Sequence, residues 1–359
     1  MKKTLLAAVA FALAGFAFAE GWDVNGYFRS GIEGNFDAKD VETKSYKDGQ
    51  YYGNGRSRAR INVNFDQENY GFKFRFQCDG FGLNNGDITG KETWFIQDNL
   101  KYMMGYAKFL DGRIITEAGK LMDYITHSEA RYEFSALNGY GVRAVAVPVD
   151  GLFLSLGATT YRAEKYEAGD DELKDGNVKI GDIKLNEKIL TVSAKYKHEM
   201  FTIAGGYNLA GEAYGYFGLT AVPNLKFNIE AKFLKDEISK KTDKDGEKTS
   251  LTEAWELVNY NFKGLGLPLE AGVYCHQIIV KDNNSIEFYP HLSYALTKVV
   301  SPEFEVGIKR VTTKGETETT YNVTPSVKFS VGKGANIKIY YNYDKDDKHA
   351  VGSTFRVNF

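Results

Sequence analysis

Residues 58–66 read RARINVNFD, residues 67–69 read QEN, and residues 70–78 read YGFKFRFQC. In 58–66 every odd-numbered residue is apolar, and every even-numbered residue is charged or polar. From 72 to 78 the same alternation resumes with the even-numbered residues apolar. Successive strand residues point to opposite faces of a sheet. The stretch therefore predicts an antiparallel hairpin with one apolar face and one charged face, turning near Asn69.

The same two-residue period recurs along the chain, for example in 225–233, 321–329 and 337–343. The connections between such segments sort into two sizes. Short ones lie near Asn69, Asp111, Gly151, Glu199, Pro223, Gly264, Pro302 and Gly332 to Gly334. Mostly longer, charged ones alternate with them, over 37–55, 81–93, 122–137, 164–186 and 235–250, with shorter ones near Gly211, Asp282, Thr313 and Asp346.

Short turns alternating with long loops are typical of a transmembrane antiparallel up-and-down β-barrel, whereas a soluble sandwich has no reason to sort its connections by size. The pattern predicts about 18 strands, with 16 as the other possible count. Pro290 and Pro325 lie inside alternating segments. A proline cannot donate to the strand ladder, so bulges are expected at both positions.

The first residues carry an export signal. Lys2 and Lys3 precede an apolar run over 5–18, and Ala17-Phe18-Ala19 has the small-x-small pattern of a cleavage site. This predicts a cleaved signal peptide over 1–19 and one barrel domain over 20–359. With 45 basic and 47 acidic residues, the chain has no excess of positive charge that would favour nucleic acid as a partner. Cys78 and Cys275 are too few for a disulfide scaffold and are interpreted as small apolar residues.

Several short motifs resemble the general bacterial porin family. They are VNGYFRSG at 24–31, GRSRAR at 55–60, GYAKF at 105–109 and EAGKL at 117–121. The end, STFRVNF with Phe359 last, resembles the terminal strand by which outer-membrane barrels are recognised for assembly. The resemblance implies a bacterial outer-membrane location, contact with lipid, passive diffusion of small hydrophilic solutes or ions, and a homotrimer without a cofactor.

In that family the third loop folds into the lumen and narrows it. The counterpart here is the segment 122–137, and the resemblance implies Asp123, Glu129 and Arg131 as its charged residues.

Strand phase predicts which charges line a pore, and pore charges influence selectivity. The wall of the first strands is basic, and Lys120 and Arg143 are expected to join it near the third loop. The predicted basic lining is Arg29, Arg58, Arg60, Lys73, Arg75, Lys120 and Arg143. A hairpin turning on Asn69 would set Arg58 opposite Asp79 and Arg60 opposite Gln77. Later strands carry mixed charge, so the expected anion preference is weak. The alternative is that these are ordinary lumen residues with no tuned role.

Two other functions are alternatives to a pore. A barrel can display its loops as an adhesin or antigen without conducting. An enzymatic barrel would need a nucleophile, and His291 and Ser293 share one strand face, but no residue that would orient the histidine is visible. The chain is therefore expected not to be an enzyme. His276 and His291 share the inward phase and are predicted to lie nearly opposite one another, but two imidazoles make a weak metal site, so no metal is expected.

Overall fold

The computed structural model describes residues 21–35, 40–42, 58–79, 100–121, 139–159, 190–209, 211–236, 241–242, 247–313, 315–346 and 348–359. The predicted signal peptide and the predicted third-loop residues Asp123, Glu129 and Arg131 lie outside these ranges. Within them, almost every residue belongs to a strand or to a short turn.

Eighteen long strands form one sheet. They are β1 (Trp22–Asn35), β2 (Arg58–Asp66), β3 (Tyr70–Asp79), β4 (Leu100–Phe109), β5 (Ile114–Leu121), β6 (Gly139–Ala146), β7 (Leu152–Thr159), β8 (Leu190–Lys197), β9 (Phe201–Asn208), β10 (Glu212–Leu219), β11 (Leu225–Leu234), β12 (Leu251–Asn261), β13 (Leu269–Val280), β14 (Asn283–Tyr294), β15 (Val300–Thr313), β16 (Glu316–Gly332), β17 (Ala335–Asp344) and β18 (His349–Asn358). A short strand at Asp40–Glu42 pairs with the end of β1, and Lys241–Thr242 pairs with Lys248–Thr249.

The sheet closes on itself. Each long strand pairs antiparallel with the next one along the chain, and β1 also pairs with β18, from Tyr27 opposite Asn358 to Asn35 opposite Ala350. At the seam, the amide and carbonyl of Phe359 both bond to Gly26. The fold is thus a closed antiparallel barrel of 18 strands, as predicted.

The register separates the barrel into the two predicted faces. On the outer face, large apolar side chains are exposed, as at Leu156 (52%) and Ile203 (51%). The inner face carries the polar positions that alternate with them. In the first hairpin, Arg58 pairs with Asp79 and Arg60 with Gln77, as the turn at Asn69 predicted.

The turns near Asn69, Asp111, Gly151 and Glu199 lie at one end of the barrel, and several short turns depend on left-handed backbone. The other end has short connections too, since β13 ends at Val280 and β14 begins at Asn283, and β15 ends at Thr313 and β16 begins at Glu316. Leu110, Asp111 and Gly112 have φ of 53°, 54° and 82° in the turn between β4 and β5. The turn expected near Pro302 is wrong, because Pro302 lies in β15 opposite Val327. The chain turns before it, where the Thr297 hydroxyl accepts the amides of Val299 and Val300 at 3.1 and 2.9 Å.

The bulges expected at the strand prolines are also wrong. Pro290 keeps its partner Val273 on β13, while the pairs toward β15 stop at Phe288 and resume at His291 without a change of register. Pro325 likewise interrupts only the pairing with β17. The amide hydrogen that a proline lacks would point to one neighbouring strand only. The pairing with that strand is therefore interrupted at the proline, while the pairing with the other neighbour continues. Register shifts occur instead between Arg75 and Phe76 and between Ser330 and Gly332.

Among the residues described, no helix has the length and apolar character needed to cross a bilayer. Cys275 carries a free thiol and pairs with Glu256 and Phe288 on the outer face, in the apolar phase predicted for it.

Candidate functional site: the inner wall of the barrel

A row of arginines crosses the seam of the barrel. Arg29 on β1 is the register partner of Arg356 on β18 and of Arg58 on β2. Neighbouring strands lie about 4.8 Å apart, so three guanidinium-bearing residues follow one another along the inner wall. Asp79 on β3 is the next register partner in this row, beside Arg58. All three arginines lie on the same face because they are direct register partners across neighbouring strands.

The next row of the wall contains a tyrosine that gathers cations. Tyr27 on β1 pairs with Arg60 on β2 and with Asn358 on β18. The guanidinium carbons of Arg356, Arg60 and Arg29 lie 4.7, 5.3 and 5.7 Å from the centre of its ring. Contacts of this length are attractive because the face of an aromatic ring is electron-rich. Tyr27 thus holds three positive side chains together that would otherwise repel one another.

Carboxamides orient several of these cations. Arg60 Nε donates to Gln77 Oε1 at 2.8 Å, and Arg356 Nε donates to Asn358 Oδ1 at 2.8 Å. A neutral amide oxygen fixes the direction of a guanidinium without cancelling its charge.

Arg75 is held in the same manner one strand further on. Its Nε donates to Asn62 Oδ1 at 2.7 Å, and its guanidinium lies 4.9 Å from the ring of Tyr102. The seam wall therefore carries a band of oriented guanidinium groups, which we call the arginine band: Arg29, Arg58, Arg60, Arg75 and Arg356.

The carboxylates Glu33 and Asp66 on β1 and β2 lie near the two ends of these strands, where they accept hydrogen bonds. Near the loop end of β1, Glu33 accepts a hydrogen bond from Tyr340 at 2.7 Å. Near the short turns, Asp66 accepts from Tyr106 and Lys108 at 2.7 and 2.8 Å. The arginine band occupies the middle of the wall between them.

The sequence-predicted lining residues fall into three groups. Arg29, Arg58, Arg60, Lys73 and Arg75 lie on the inner face and adjoin one another on β1, β2 and β3, as predicted. Arg143 lies on the inner face too, in an ion pair with Glu117 on β5, and both side chains are fully buried. Its charge is therefore neutralised by Glu117, and Arg143 is not part of the arginine band.

The placement of Lys120 in the lumen is wrong. Its register partners are Met103 and Tyr140, which are 41% and 49% exposed on the outer face. The inner-face residues of β5 are Glu117 and Leu121, and Lys120 alternates with them. Its ammonium donates to the carbonyl of Leu100 and lies 6.0 Å from the ring of Tyr140, outside the lumen.

Sequence reasoning missed Arg356 and Tyr27. Both could have been found, since Arg356 alternates with the outward Phe355 and Val357, and Tyr27 lies two residues from Arg29. Their proximity could not have been predicted from the sequence, because only closure of the barrel brings the last strand beside the first.

The inner face of β10 to β15, which we call the acidic sector, is rich in carboxylates. With 18 strands, the strands half a turn from β1, β2 and β3 are β10, β11 and β12. The inner-face glutamates of β10 to β15 are Glu212, Glu230, Glu253, Glu270, Glu287, Glu303 and Glu305. Their lysine partners include Lys232, Lys309, Lys328 and Lys338. These glutamates therefore extend from β10 to β12, half a turn from β1 to β3, round to β15, which lies four strands from β1.

One cluster in this acidic sector contains His276. Its ring stacks on Trp255 with centres 3.5 Å apart, and its Nε2 lies 2.8 Å from Glu253 Oε1. His276 pairs with Glu287 across to β14. The expectation that His276 lies nearly opposite His291 is wrong, because His291 pairs with Gly272, which precedes His276 by four residues on β13. Both histidines do face inward, as predicted.

No protein-family model and no curated protein sequence matches this chain. Solved outer-membrane barrels do match it in structure. In vitro folded OmpT, an outer membrane protein of Vibrio cholerae, is 13% identical, with 94% of this chain and 97% of that chain covered and a TM-score of 0.48. Its variant lacking loop L8 is 14% identical, with 94% and 99% covered and a TM-score of 0.47.

A mutant of the Rh. blastica porin is 13% identical, with 94% of this chain and 100% of that chain covered and a TM-score of 0.42. At these identities and TM-scores, the resemblance to general porins rests on the short motifs at 24–31, 55–60, 105–109 and 117–121. The closed 18-strand barrel with its two faces is established by the register of the chain's own strands.

Proposed function

We propose that this protein is a porin of a bacterial outer membrane, through which small hydrophilic solutes and ions diffuse passively. The observation that carries the proposal is the sorting of the two faces. Large apolar side chains are exposed all around the outside, while charged side chains face inward. Only a closed barrel satisfies every strand hydrogen bond in lipid, and 16–18 strands are wide enough for an aqueous channel.

Weak anion preference is part of the proposal. The arginine band supports it, since fixed positive charges on a pore wall raise the local concentration of anions. The acidic sector of β10 to β15 supports a modest preference over a strong one, because it attracts cations into the same lumen.

The remaining features are proposed on the strength of the sequence motifs. The signal peptide is removed after Ala19, residues 122–137 narrow the lumen with Asp123, Glu129 and Arg131, and the barrel assembles as a homotrimer. The protein has no enzymatic activity. N-terminal sequencing of the exported protein should begin at Glu20, and chemical cross-linking in membranes should give a trimer.

The deciding experiment is reconstitution of the refolded protein in planar bilayers. Stable conductance steps in KCl, with a reversal potential in a salt gradient on the anion side, are expected. Preparations in which the barrel is heat-denatured before addition should give none. A folded barrel that stays silent at all voltages would contradict the proposal and favour a surface barrel that only displays its loops.

A further inference from the structure

Few charged residues occupy the outward positions of the barrel. On the eighteen long strands, as far as the structure describes them, these positions hold Lys101, Lys120, Glu256 and Arg310. Lys101, Lys120 and Arg310 lie within three residues of the loop ends of β4, β5 and β15, where a long side chain reaches the membrane surface. Glu256 differs from them because it is acidic and is the sixth of the eleven residues of β12.

Glu256 lies on the outer face at mid-depth. Its register partners are Ile229, an outward residue that is 39% exposed, and Cys275. A strand residue rises about 3.3 Å, and a tilt of about 40° leaves about 2.5 Å of depth per residue. The centre of an eleven-residue strand therefore lies about 12 Å from either end, which is half the height of an apolar band of about 25 Å. Glu256 is thus level with the middle of the hydrocarbon layer.

The polar partner of Glu256 comes from β13. Gln277 Nε2 donates to Glu256 Oε1 at 3.3 Å and lies 3.8 Å from the sulfur of Cys275. The outward residues beside this group on β13 are apolar, with Val273 37% and Ile279 51% exposed. Acyl chains offer no hydrogen-bonding groups. Polar side chains at this depth are therefore costly against lipid, and they are usually found where protein covers them.

We propose that the outward surface centred on Glu256 and Gln277 is a contact surface for a second copy of this chain within the membrane. We call it the Glu256 patch, and it comprises Ala254, Glu256, Cys275 and Gln277. The proposal rests on the proposed function in one respect, that the outer face meets lipid. It goes beyond the homotrimer proposed from the sequence motifs because it assigns the contact between subunits to one location on the barrel.

The Glu256 patch is self-complementary, which favours a second copy over lipid as its occupant. Barrels inserted in the same direction are related by an axis along the membrane normal, so residues nearest that axis face their own counterparts at the same depth. A carboxamide has two N–H donors and an acceptor oxygen. Two Gln277 side chains facing across the axis can therefore exchange hydrogen bonds while each still donates to Glu256 of its own chain. The Glu256 carboxylates lie one strand further from the axis and do not meet.

The surface beside the patch permits close approach of another barrel. Gly215, Ala231 and Ala254 follow one another in a register row that leads to Gln277. A Cβ placed on Gly215 would meet no atom within 4 Å, so the outer surface is recessed there. Small residues let membrane segments approach closely, and side chains such as glutamine then bond across the contact.

The test is sedimentation equilibrium of the refolded protein in density-matched detergent micelles over a range of protein concentrations. The unmodified protein should associate, and Gln277→Leu should weaken the association about tenfold, the loss of polar bonding across a membrane contact. Glu256→Leu should act similarly, because Glu256 orients the carboxamide. The double variant Glu256→Leu with Gln277→Leu leaves an apolar surface suited to lipid and serves if a single variant does not fold.

Lys120→Leu is the matched control. It also replaces an outward charged residue by leucine, but on β5, far from β12 around the barrel. Its association should change less than about twofold. Urea titration in lipid vesicles adds a second readout, since the double variant should unfold no more readily than the unmodified protein. Weaker folding with unchanged association would show that Glu256 and Gln277 act only within their own barrel and would overturn the proposal.

Disulfide cross-linking in membranes locates the contact. In a background with Cys78→Ala and Cys275→Ala, Ile279→Cys should give a covalent dimer on mild oxidation, because Ile279 adjoins Gln277 on the outer face and is 51% exposed. Leu156→Cys on β7 is the control, since Leu156 is 52% exposed and lies away from the patch. Dimers as abundant from Leu156→Cys as from Ile279→Cys would overturn the proposal.

Association does not depend on conductance, so the two proposals fail separately. A silent barrel that associates through the Glu256 patch would refute the channel and keep the contact. A conducting barrel that is monomeric, or whose association is unchanged in the double variant, would keep the channel and refute the contact.

Discussion

At the scale of single residues, the inner wall contains two kinds of arginine that differ in what surrounds them. Arg143 is fully buried against Glu117, and the pair has no exposed side-chain surface. Arg60 and Arg356 are partly exposed and have carboxamide partners. Taking a charge out of water is costly unless a partner compensates it, so the first kind contributes to folding and the second is suited to contact solutes.

The buried pair gives a prediction about stability. Arg143→Met should lower the free energy of unfolding by about 3–5 kcal/mol, because it leaves the Glu117 carboxylate buried without its main partner. The double variant Glu117→Leu with Arg143→Met should recover most of that loss, since apolar groups replace both charges. Urea titration of barrels folded in lipid vesicles, followed by tryptophan fluorescence, measures both.

Arg113 provides the exposed counterpart. Its ion pair with Asp150 spans 2.9 Å, with side chains 49% and 95% exposed. Arg113→Met should cost less than about 1 kcal/mol, as is usual for surface pairs. A loss at Arg143 as small as the loss at Arg113 would show that the Glu117–Arg143 pair is solvated in the membrane.

The arginine band gives a prediction about selectivity. Arg58→Glu combined with Arg60→Glu should move the reversal potential in a KCl gradient toward cation preference, because it replaces positive by negative charge in the middle of the wall. The control is Lys195→Glu with Lys197→Glu on β8, which changes the formal charge by the same amount elsewhere on the inner face. A shift of equal size in both double variants would remove any special role of the arginine band.

At the scale of strands, alternation alone determined which residues face lipid and which face inward. It succeeded in β2 and β3, where every second residue is charged and the phase is unambiguous. It failed at Lys120, because the apolar Leu121 shares the phase of the charged Glu117 and the sequence of β5 does not separate its two faces. Only the pairing with Met103 and Tyr140 shows that Lys120 points outward.

Other errors came from features that a local pattern does not contain. Pro302 has the composition of a turn, but the Thr297 hydroxyl turns the chain five residues earlier. The pairing of His276 with Glu287 depends on the length of the turn between β13 and β14, which a one-strand pattern does not specify. The interrupted pairings at Pro290 and Pro325 depend on which neighbouring strand the amide group at each position would face.

The gap in the ladder at Pro290 predicts that a proline costs less stability at position 290 than at position 288 of β14. Pro290→Ala should change the free energy of unfolding by less than about 1 kcal/mol, because the new donor's hydrogen bond offsets the flexibility gained by the unfolded chain. Phe288→Pro should cost about 1–3 kcal/mol beyond the lost side-chain packing, because it leaves an acceptor on β15 without its donor.

Phe288→Ala measures the packing loss alone and is the control for Phe288→Pro. Phe288 pairs with Ile308 on β15, whereas the ladder already skips the step at Pro290. Vesicle unfolding of the four proteins in parallel provides the comparison. Equal stability of Phe288→Pro and Phe288→Ala would mean that the β14–β15 ladder contributes no hydrogen bond at Phe288.

At the scale of the whole molecule, closure creates the arrangement on which function depends. Arg356 and Arg29 lie at opposite ends of the chain, and only the pairing of β18 with β1 makes them neighbours. The same closure sets Glu212, Glu230 and Glu253, on β10 to β12, half a turn away from β1 to β3. A local reading found the basic residues of β1 to β3 but not this opposition, because the position of a strand around the barrel follows from the strand count.

A lumen with opposed charges should select ions through a field that salt weakens. The Debye length is about 10 Å at 0.1 M salt and about 3 Å at 1 M, so at low salt the charges of the arginine band extend into the lumen and at high salt they act only on ions in contact. The anion-to-cation permeability ratio, measured from reversal potentials at a fixed tenfold KCl gradient, should fall toward unity as the mean concentration rises from 0.1 to 1 M. In Glu253→Gln with Glu287→Gln the ratio at low salt should be higher than in the unmodified protein, since that variant removes negative charge from the acidic sector. A ratio that stays constant across this range would contradict selection by the field and would indicate that ions are chosen in direct contact with the wall, where screening has little effect.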